Sequence, residues 1–168
     1  FTTEDAVIPA RFSRTLQFAG DSPRWRFTLA REEADGGEPP VPFLHGMHAL
    51  LPLERVAGVT LPPCRVVCDE GAGGIMPLEE AKDPEAWLMA LPEGSTRMLL
   101  LRGVQQGRAS VTFRGGWRLE ILYDHKLFPT LGVWWNRGGY PDEDGCRRTE
   151  CALEPIPGTC SSLEASWR

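Results

Sequence analysis

Alternating apolar and polar positions recur along the chain and predict short β-strands. In RWRFTLAR, residues 24–31, Trp25, Phe27 and Leu29 fall on one side of an extended backbone, with arginine and threonine on the other. The preceding segment, 12–18, repeats the alternation with one arginine among its apolar positions. These two segments predict a pair of half-buried antiparallel strands, followed by a loop.

The clearest hairpin signal spans residues 108–123. Val111 and Phe113 alternate with polar neighbours, Gly115 and Gly116 form a turn, and WRLEILY resumes the alternation after it. Two alternating runs on either side of a Gly-Gly pair are typical of a β-hairpin.

Other segments complete an all-β pattern. The apolar run TRMLLLRGV (96–104) predicts a more buried strand, while LGVWW (131–135) and TECALE (149–154) predict shorter ones. The only plausible helix, PLEEAKDPEAWLMAL, is interrupted by Pro84 and is expected to have one or two turns. Short strands separated by glycine and proline favour an antiparallel β-sandwich.

Composition and charge exclude several classes of protein. The 168 residues are 42% hydrophobic, which fits one globular domain, and the net charge of −5 is unlike the basic surface of a nucleic-acid binder. No apolar run approaches the ~20 residues that cross a bilayer, and the polar N-terminus lacks the pattern of a secretory signal. We therefore expect a cytoplasmic protein with neither nucleic acid nor membrane as partner. Its arginine-rich, lysine-poor composition is typical of a GC-rich bacterial genome.

An odd number of cysteines in such a chain favours reduced thiols. A four-thiolate zinc site is the alternative, but the usual Cys-x2-Cys spacing is absent, so small strand residues are the better interpretation. The sequence thus predicts no metal and no cofactor. The four candidate thiolates for the alternative are Cys64, Cys68, Cys146 and Cys151.

Histidines are the natural candidates for a group that titrates near neutral pH. His45 and His48 are surrounded by proline and glycine, which disfavours a helix. In extended chain their odd separation sends them to opposite sides, so at most one is expected to face a given pocket. His125 follows a strand beside Asp124, and we assign it no catalytic role.

Strand parity places Glu154 on an open face. In TECALE, Cys151 and Leu153 are expected in the core, which turns Glu150 and Glu154 to the other side. Because Pro155 cannot donate a ladder hydrogen bond, Glu154 is predicted to be the last residue of its strand. Apolar walls would raise its pKa above about 4.3 and make it a usable general base. A solvated glutamate is the more common alternative at such a position.

Adjacent tryptophans must face opposite ways in a strand, so one of Trp134 and Trp135 is expected in the core and the other on an open face. A cleft-facing tryptophan near Asn136 and Tyr140 suits the apolar face of a sugar ring and its hydroxyl groups. Two aromatic core residues are the alternative.

Three segments, PVPFLHGMHALLPLERVAGVTLP, LFPTLGVWWNRGGYP and CALEPIPGTCSSLEAS, follow one another in this order. Together they resemble the aldose 1-epimerase (galactose mutarotase-like) superfamily, over about residues 12–167. The resemblance implies a large antiparallel β-sandwich that binds a carbohydrate substrate in a cleft on one sheet. It implies His48 as general acid at the ring oxygen and Glu154 as general base at the anomeric hydroxyl. It also implies substrate contacts near the cleft from Trp134, Trp135 and Asn136.

Members of that family are usually longer, and their upstream strands add another histidine and an arginine to the sugar site. The resemblance therefore implies one mutarotase-like β-sandwich domain over residues 1–168 that lacks the N-terminal strands of the family. An unpaired sheet edge favours association, so we expect a homo-oligomer or pairing with a missing N-terminal half. A non-catalytic carbohydrate-binding or sensing module and a purely structural role are the alternative functions.

Overall fold

The protein is described from a computed structural model. The residues that it describes are 2–5, 10–31, 44, 46–71 and 74–162. The chain divides into two compact units, an N-terminal unit of residues 1–41 and a C-terminal unit of residues 42–168. The loop predicted at 32–40 and His45 lie outside the described residues. The prediction of a single domain stays a prediction.

The N-terminal unit contains an antiparallel sheet, whose described strands are β1 (Thr2–Asp5), β2 (Ala10–Ala19) and β3 (Ser22–Arg31), in the order β1-β2-β3. Leu16 pairs with Trp25 across β2 and β3, which confirms the predicted pair of antiparallel strands and places their apolar positions on one face. Within the described part of this unit no second layer covers that face, and Leu16 is 51% exposed.

The C-terminal unit contains two antiparallel sheets. Six described strands form the larger sheet in the order β4-β12-β11-β8-β6-β7, and three form the smaller sheet in the order β10-β9-β5. In chain order these strands are β4 (Leu51–Pro52), β5 (Val56–Thr60), β6 (Val66–Gly71), β7 (Gly74–Pro77), β8 (Thr96–Arg102), β9 (Arg108–Phe113), β10 (Arg118–Leu122), β11 (Thr130–Pro141) and β12 (Arg147–Ile156).

The predicted hairpin at 108–123 is confirmed. Thr112 of β9 pairs with Arg118 of β10. Gly115 and Gly116 make the turn with φ of 100° and 87°, a backbone region that favours glycine. Trp117 precedes the first paired residue of β10 and is exposed rather than directed into the core.

Helical structure among the described residues of the C-terminal unit is limited to a 3-10 turn, Leu53–Arg55, and to α1, Pro84–Met89. The Asp83 side chain accepts a hydrogen bond from Ala86 N at 3.0 Å and caps the helix. The predicted length of one or two turns is confirmed, but Pro84 begins the helix because its missing N–H costs nothing at the first position. No helix of the described residues is long and apolar enough to cross a membrane.

A hydrophobic core lies between the two sheets of the C-terminal unit, and this arrangement confirms the predicted antiparallel β-sandwich. Every second residue of the central strands of the larger sheet contributes to it. These residues include Leu99, Leu101, Leu131, Val133, Trp135, Cys151 and Leu153, which pack with Val56, Val59, Ala109 and Val111 of the smaller sheet.

The opposite face of the larger sheet carries a second, smaller cluster of Cys68, Leu100, Ile156 and Cys160. Cross-strand pairing sets Glu154, Gly132, Leu100 and Cys68 in one row across this face. Glu154 therefore lies on the face away from the main core, as its parity predicts.

The prediction that Glu154 ends its strand is wrong. The strand β12 continues to Ile156, and Pro155 pairs with Leu131 of β11. On the other side of β12, the short strand β4 pairs only with Glu150 and Cys151. No described strand lies beside Pro155 on that side of β12. The missing N–H of Pro155 therefore removes no ladder hydrogen bond there.

Candidate functional site

His48 and Glu154 meet on the open face of the larger sheet. The distance from His48 Nε2 to Glu154 Oε1 is 3.2 Å. The histidine side chain is 50% exposed and the glutamate side chain 10% exposed. The structure thus brings together a solvent-accessible imidazole and a nearly buried carboxylate.

The register of β4 explains why His48 reaches Glu154. Leu51 pairs with Cys151, and Pro52 pairs with Glu150. Extending this antiparallel register by three residues places His48 directly opposite Glu154, although residues 46–50 form no strand of their own. The two residues of β4 therefore anchor the histidine-bearing segment alongside β12.

Glu154 lies in an environment that favours its neutral form. Burial raises the pKa of this carboxyl group, His48 lowers it in part, and the carboxylate of Glu70 raises it again. Its Oε1 atom is buried and has no hydrogen-bond partner among the described residues. The approach of His48 Nε2 therefore brings a charge partner near without a directed hydrogen bond.

The two adjacent tryptophans face opposite sides of the sheet, as alternation requires. Trp135 is 1% exposed and belongs to the main core, whereas Trp134 is half-buried on the face that carries His48. The ring of Trp134 packs edge-on against Tyr140, with their centroids 5.5 Å apart. This geometry removes Trp135 from the predicted substrate contacts, because the sheet separates it from the open face.

Asn136 is occupied by hydrogen bonds within the protein. Its Oδ1 accepts from Thr96 Oγ1 at 2.8 Å and from the N–H groups of Gly138 and Tyr140, each at 3.1 Å. Its Nδ2 donates to the carbonyl of Tyr140 at 3.0 Å. With 1% of its surface exposed, Asn136 offers little to a ligand. Its contacts hold the irregular end of β11, where the register shifts between Arg137 and Pro141, and so place Tyr140 beside Trp134.

A cavity of about 350 Å³ opens beside this aromatic pair. The volume is at the lower end of the roughly 300–1,000 Å³ found for small-molecule sites. Glu154 lies behind His48 rather than in the cavity wall. The residues that line the cavity are His48, Trp134, Tyr140, Asp142, Arg148 and Glu150.

Three of these lining residues were not singled out as site residues from the sequence. Glu150 shares strand parity with Glu154, and this signal could have indicated it. Asp142 and Arg148 reach the cavity only because β11 and β12 are joined by a turn that brings them together. No sequence pattern indicated that contact.

Comparisons with protein-family models, with curated proteins and with solved structures find no match. Functional assignment therefore rests on the site geometry and on the sequence motifs.

The geometry rules out the alternative of one zinc ion bound by four thiolates. Cys151 is buried in the main core, whereas Cys68 lies in the cluster on the opposite face of the same sheet. Among the residues that the structure describes, no group of three or more histidine, cysteine or acidic side chains is arranged to hold a metal ion.

Proposed function

We propose that the protein is a mutarotase-like epimerase that interconverts the anomers of an aldose by general acid/base ring opening. One observation carries this proposal: His48 Nε2 lies 3.2 Å from Glu154 Oε1 at the edge of a cavity walled by Trp134. The resemblance of the sequence to aldose 1-epimerases supplies the reaction.

Ring opening needs a base and an acid at two oxygens bonded to the same carbon. Glu154 removes the proton from the anomeric hydroxyl, and the O–H electrons form the carbonyl bond. The bond from the anomeric carbon to the ring oxygen breaks, and His48 protonates that oxygen. Rotation of the resulting aldehyde and reclosure with the roles reversed give the other anomer. The two reacting oxygens are close neighbours, so an acid and a base in mutual contact can serve both.

The environment of Glu154 suits the role of base. Burial raises the pKa of this carboxyl group, which makes its ionised form a stronger base than a solvated glutamate. The ionised fraction is maintained in part by His48, which lowers the same pKa when protonated. The attraction of a protonated His48 thus supports the ionised state that Glu154 needs as a base.

The aromatic wall suits a sugar ring. Trp134 presents an apolar face to the cavity, and Tyr140 supports it from the side. We propose that Trp134 stacks on the apolar face of the sugar, whereas Asn136 acts only by positioning Tyr140. Cytoplasmic location and association with a second copy or a missing N-terminal half stay predictions.

Replacement of each member of the pair tests the proposal. We expect His48→Asn and Glu154→Gln each to lower the rate of anomer interconversion by about 10²-fold or more, as for loss of a general acid or base. Polarimetry or NMR of freshly dissolved α- and β-aldoses measures that rate. Matched controls are His125→Asn and Glu93→Gln, which lie outside the cavity wall and are expected to leave the rate unchanged. Wild-type rates in either site variant would overturn the assignment.

A second candidate, a non-catalytic carbohydrate-binding module, is favoured by the aromatic wall alone, because Trp134 can stack on a sugar without the acid/base pair. Titration calorimetry that detects sugar binding, together with no acceleration of anomer interconversion, would select this candidate.

A further inference from the structure

An ion pair between Asp142 and Arg148 forms part of the cavity wall. Arg148 Nε donates to Asp142 Oδ2 at 2.5 Å. The other carboxylate oxygen, Asp142 Oδ1, accepts from the N–H of Asp144 at 3.0 Å and from that of Cys146 at 2.7 Å. The turn between β11 and β12 therefore holds Asp142, and Asp142 in turn holds the guanidinium of Arg148.

The charges around the cavity disfavour an anion. Among the described residues that line it, Arg148 is the only guanidinium or ammonium group, while Asp142 and Glu150 contribute two carboxylates. Hydrogen bonding to Asp142 raises the pKa of Arg148, and Glu150 adds to this effect, so both carboxylates lie close enough to interact with the guanidinium. Glu154 adds a third acidic group behind His48.

We propose that the Asp142–Arg148 pair sets the charge selectivity of the cavity: it admits uncharged sugar rings and rejects sugars that carry a phosphate or carboxylate group. The sugar part of this inference rests on the proposed function. A phosphate entering the cavity would meet a guanidinium whose charge is already offset by Asp142, and it would face the carboxylate of Glu150. An uncharged hydroxyl group meets no such opposition.

The substitution Asp142→Asn breaks the ion pair with Arg148 but keeps the hydrogen bonds of the turn. Asparagine keeps the Oδ1 acceptor that the N–H groups of Asp144 and Cys146 use. In place of Oδ2 it presents an amide NH₂, which cannot accept a hydrogen bond from Arg148. The variant therefore releases the guanidinium toward the cavity and removes one negative charge.

Titration with inorganic phosphate at low salt tests the selectivity without any sugar. The indole N–H signal of Trp134, assigned with Trp134→Phe, reports binding by NMR. We expect Asp142→Asn to bind phosphate about fivefold more tightly than the wild type, a modest gain because the site is open to solvent. The double variant Asp142→Asn/Arg148→Gln should return to the wild-type affinity. The matched control, Asp144→Asn, removes an exposed charge from the same turn and should change the affinity less than Asp142→Asn.

No gain in Asp142→Asn, or a gain that persists in the double variant, would overturn the inference. If thermal unfolding shows that Asp142→Asn disturbs the turn, Glu150→Gln replaces it. That variant removes the other carboxylate near Arg148. It should also strengthen phosphate binding, but by less than Asp142→Asn does. No gain in a folded Glu150→Gln variant would then overturn the inference.

A second titration compares an aldohexose with its 6-phosphate. We expect the wild type to prefer the uncharged sugar, and the ratio of the two affinities to shift about fivefold toward the phosphate in Asp142→Asn. If Asp142→Asn binds phosphate more tightly as expected but the protein binds no sugar, the result contradicts the proposed function and supports the charge selectivity. Sugar binding with equal affinity for both ligands in the wild type contradicts the charge selectivity and leaves the proposed function in place.

Discussion

Removing the charge of Glu154 is expected to stabilise the protein while it abolishes the proposed activity. Burial raises the pKa of this carboxyl group in the folded state above its ordinary value of 4.5. An acid whose folded pKa is raised contributes stability that is fully present below its unfolded pKa and is lost as the pH rises through the folded value. At a pH above that folded value the protein carries an ionised, nearly buried carboxylate at a cost in stability.

The size of this cost follows from the surroundings of the side chain. Glu154 Oε1 is buried without a hydrogen-bond partner among the described residues, a situation that costs about 1–3 kcal/mol for a polar atom. His48 offsets part of the cost when it is protonated, but its side chain is 50% exposed and water weakens the attraction. We expect Glu154→Gln to raise the free energy of unfolding by about 1 kcal/mol at pH 7.5, since the uncharged amide avoids the desolvation of a charge.

Urea denaturation of the wild type and Glu154→Gln at pH 4 and pH 7.5 measures the effect. The gain in the free energy of unfolding should be present at pH 7.5 and should shrink toward zero at pH 4, where the wild-type carboxyl group is itself largely neutral. Glu93→Gln, an exposed substitution, should change stability little at either pH. A Glu154→Gln variant that is less stable than the wild type at pH 7.5, or whose gain is equal at both pH values, would refute the reasoning.

Further predictions separate residues that hold the fold from residues that meet a ligand. Trp135→Ala should cost about 3–5 kcal/mol in urea denaturation because it empties a position in the core, whereas Trp134→Ala should cost much less and weaken sugar binding in calorimetry. Asn136→Ala removes four hydrogen bonds from a buried site and should cost about 2–3 kcal/mol, with weaker sugar binding through displacement of Tyr140. Asp83→Ala removes a helix cap and should cost about 1 kcal/mol in the same denaturation assay without affecting sugar binding. These assignments would be contradicted if the two tryptophan variants were equally stable, if Asn136→Ala kept full sugar affinity, or if Asp83→Ala altered sugar binding.

Local alternation was sufficient to predict the sandwich and the side of the sheet on which Glu154 lies. A strand exposes its residues with a period of two, so the apolar Cys151 and Leu153 determine where the glutamate points. The split between Trp134 and Trp135 follows from the same rule. Each of these predictions depends only on neighbours in the sequence, which explains why they hold.

Contacts between distant parts of the chain could not be predicted in this way. Asn136 was expected to contact substrate, but Thr96, 40 residues away, accounts for one of its hydrogen bonds. The continuation of β12 past Glu154 depends on its pairing with β11, and Pro155 is tolerated because β4 pairs only with Glu150 and Cys151 on the other side. Sequence alternation assigns a face to each residue, but it does not specify the partner strand or the length of the pairing.

The main core and the candidate site are linked through the register of β12. A slip of one residue would turn Glu154 into the core and move Leu153 to the open face, because side chains alternate along the strand. Burying a charged carboxylate and exposing a leucine are both unfavourable, so the core opposes any such slip. The same register sets His48 opposite Glu154 through the pairing of Leu51 with Cys151. The apolar residues on one face of β12 therefore stabilise the contact between His48 and Glu154 on the other.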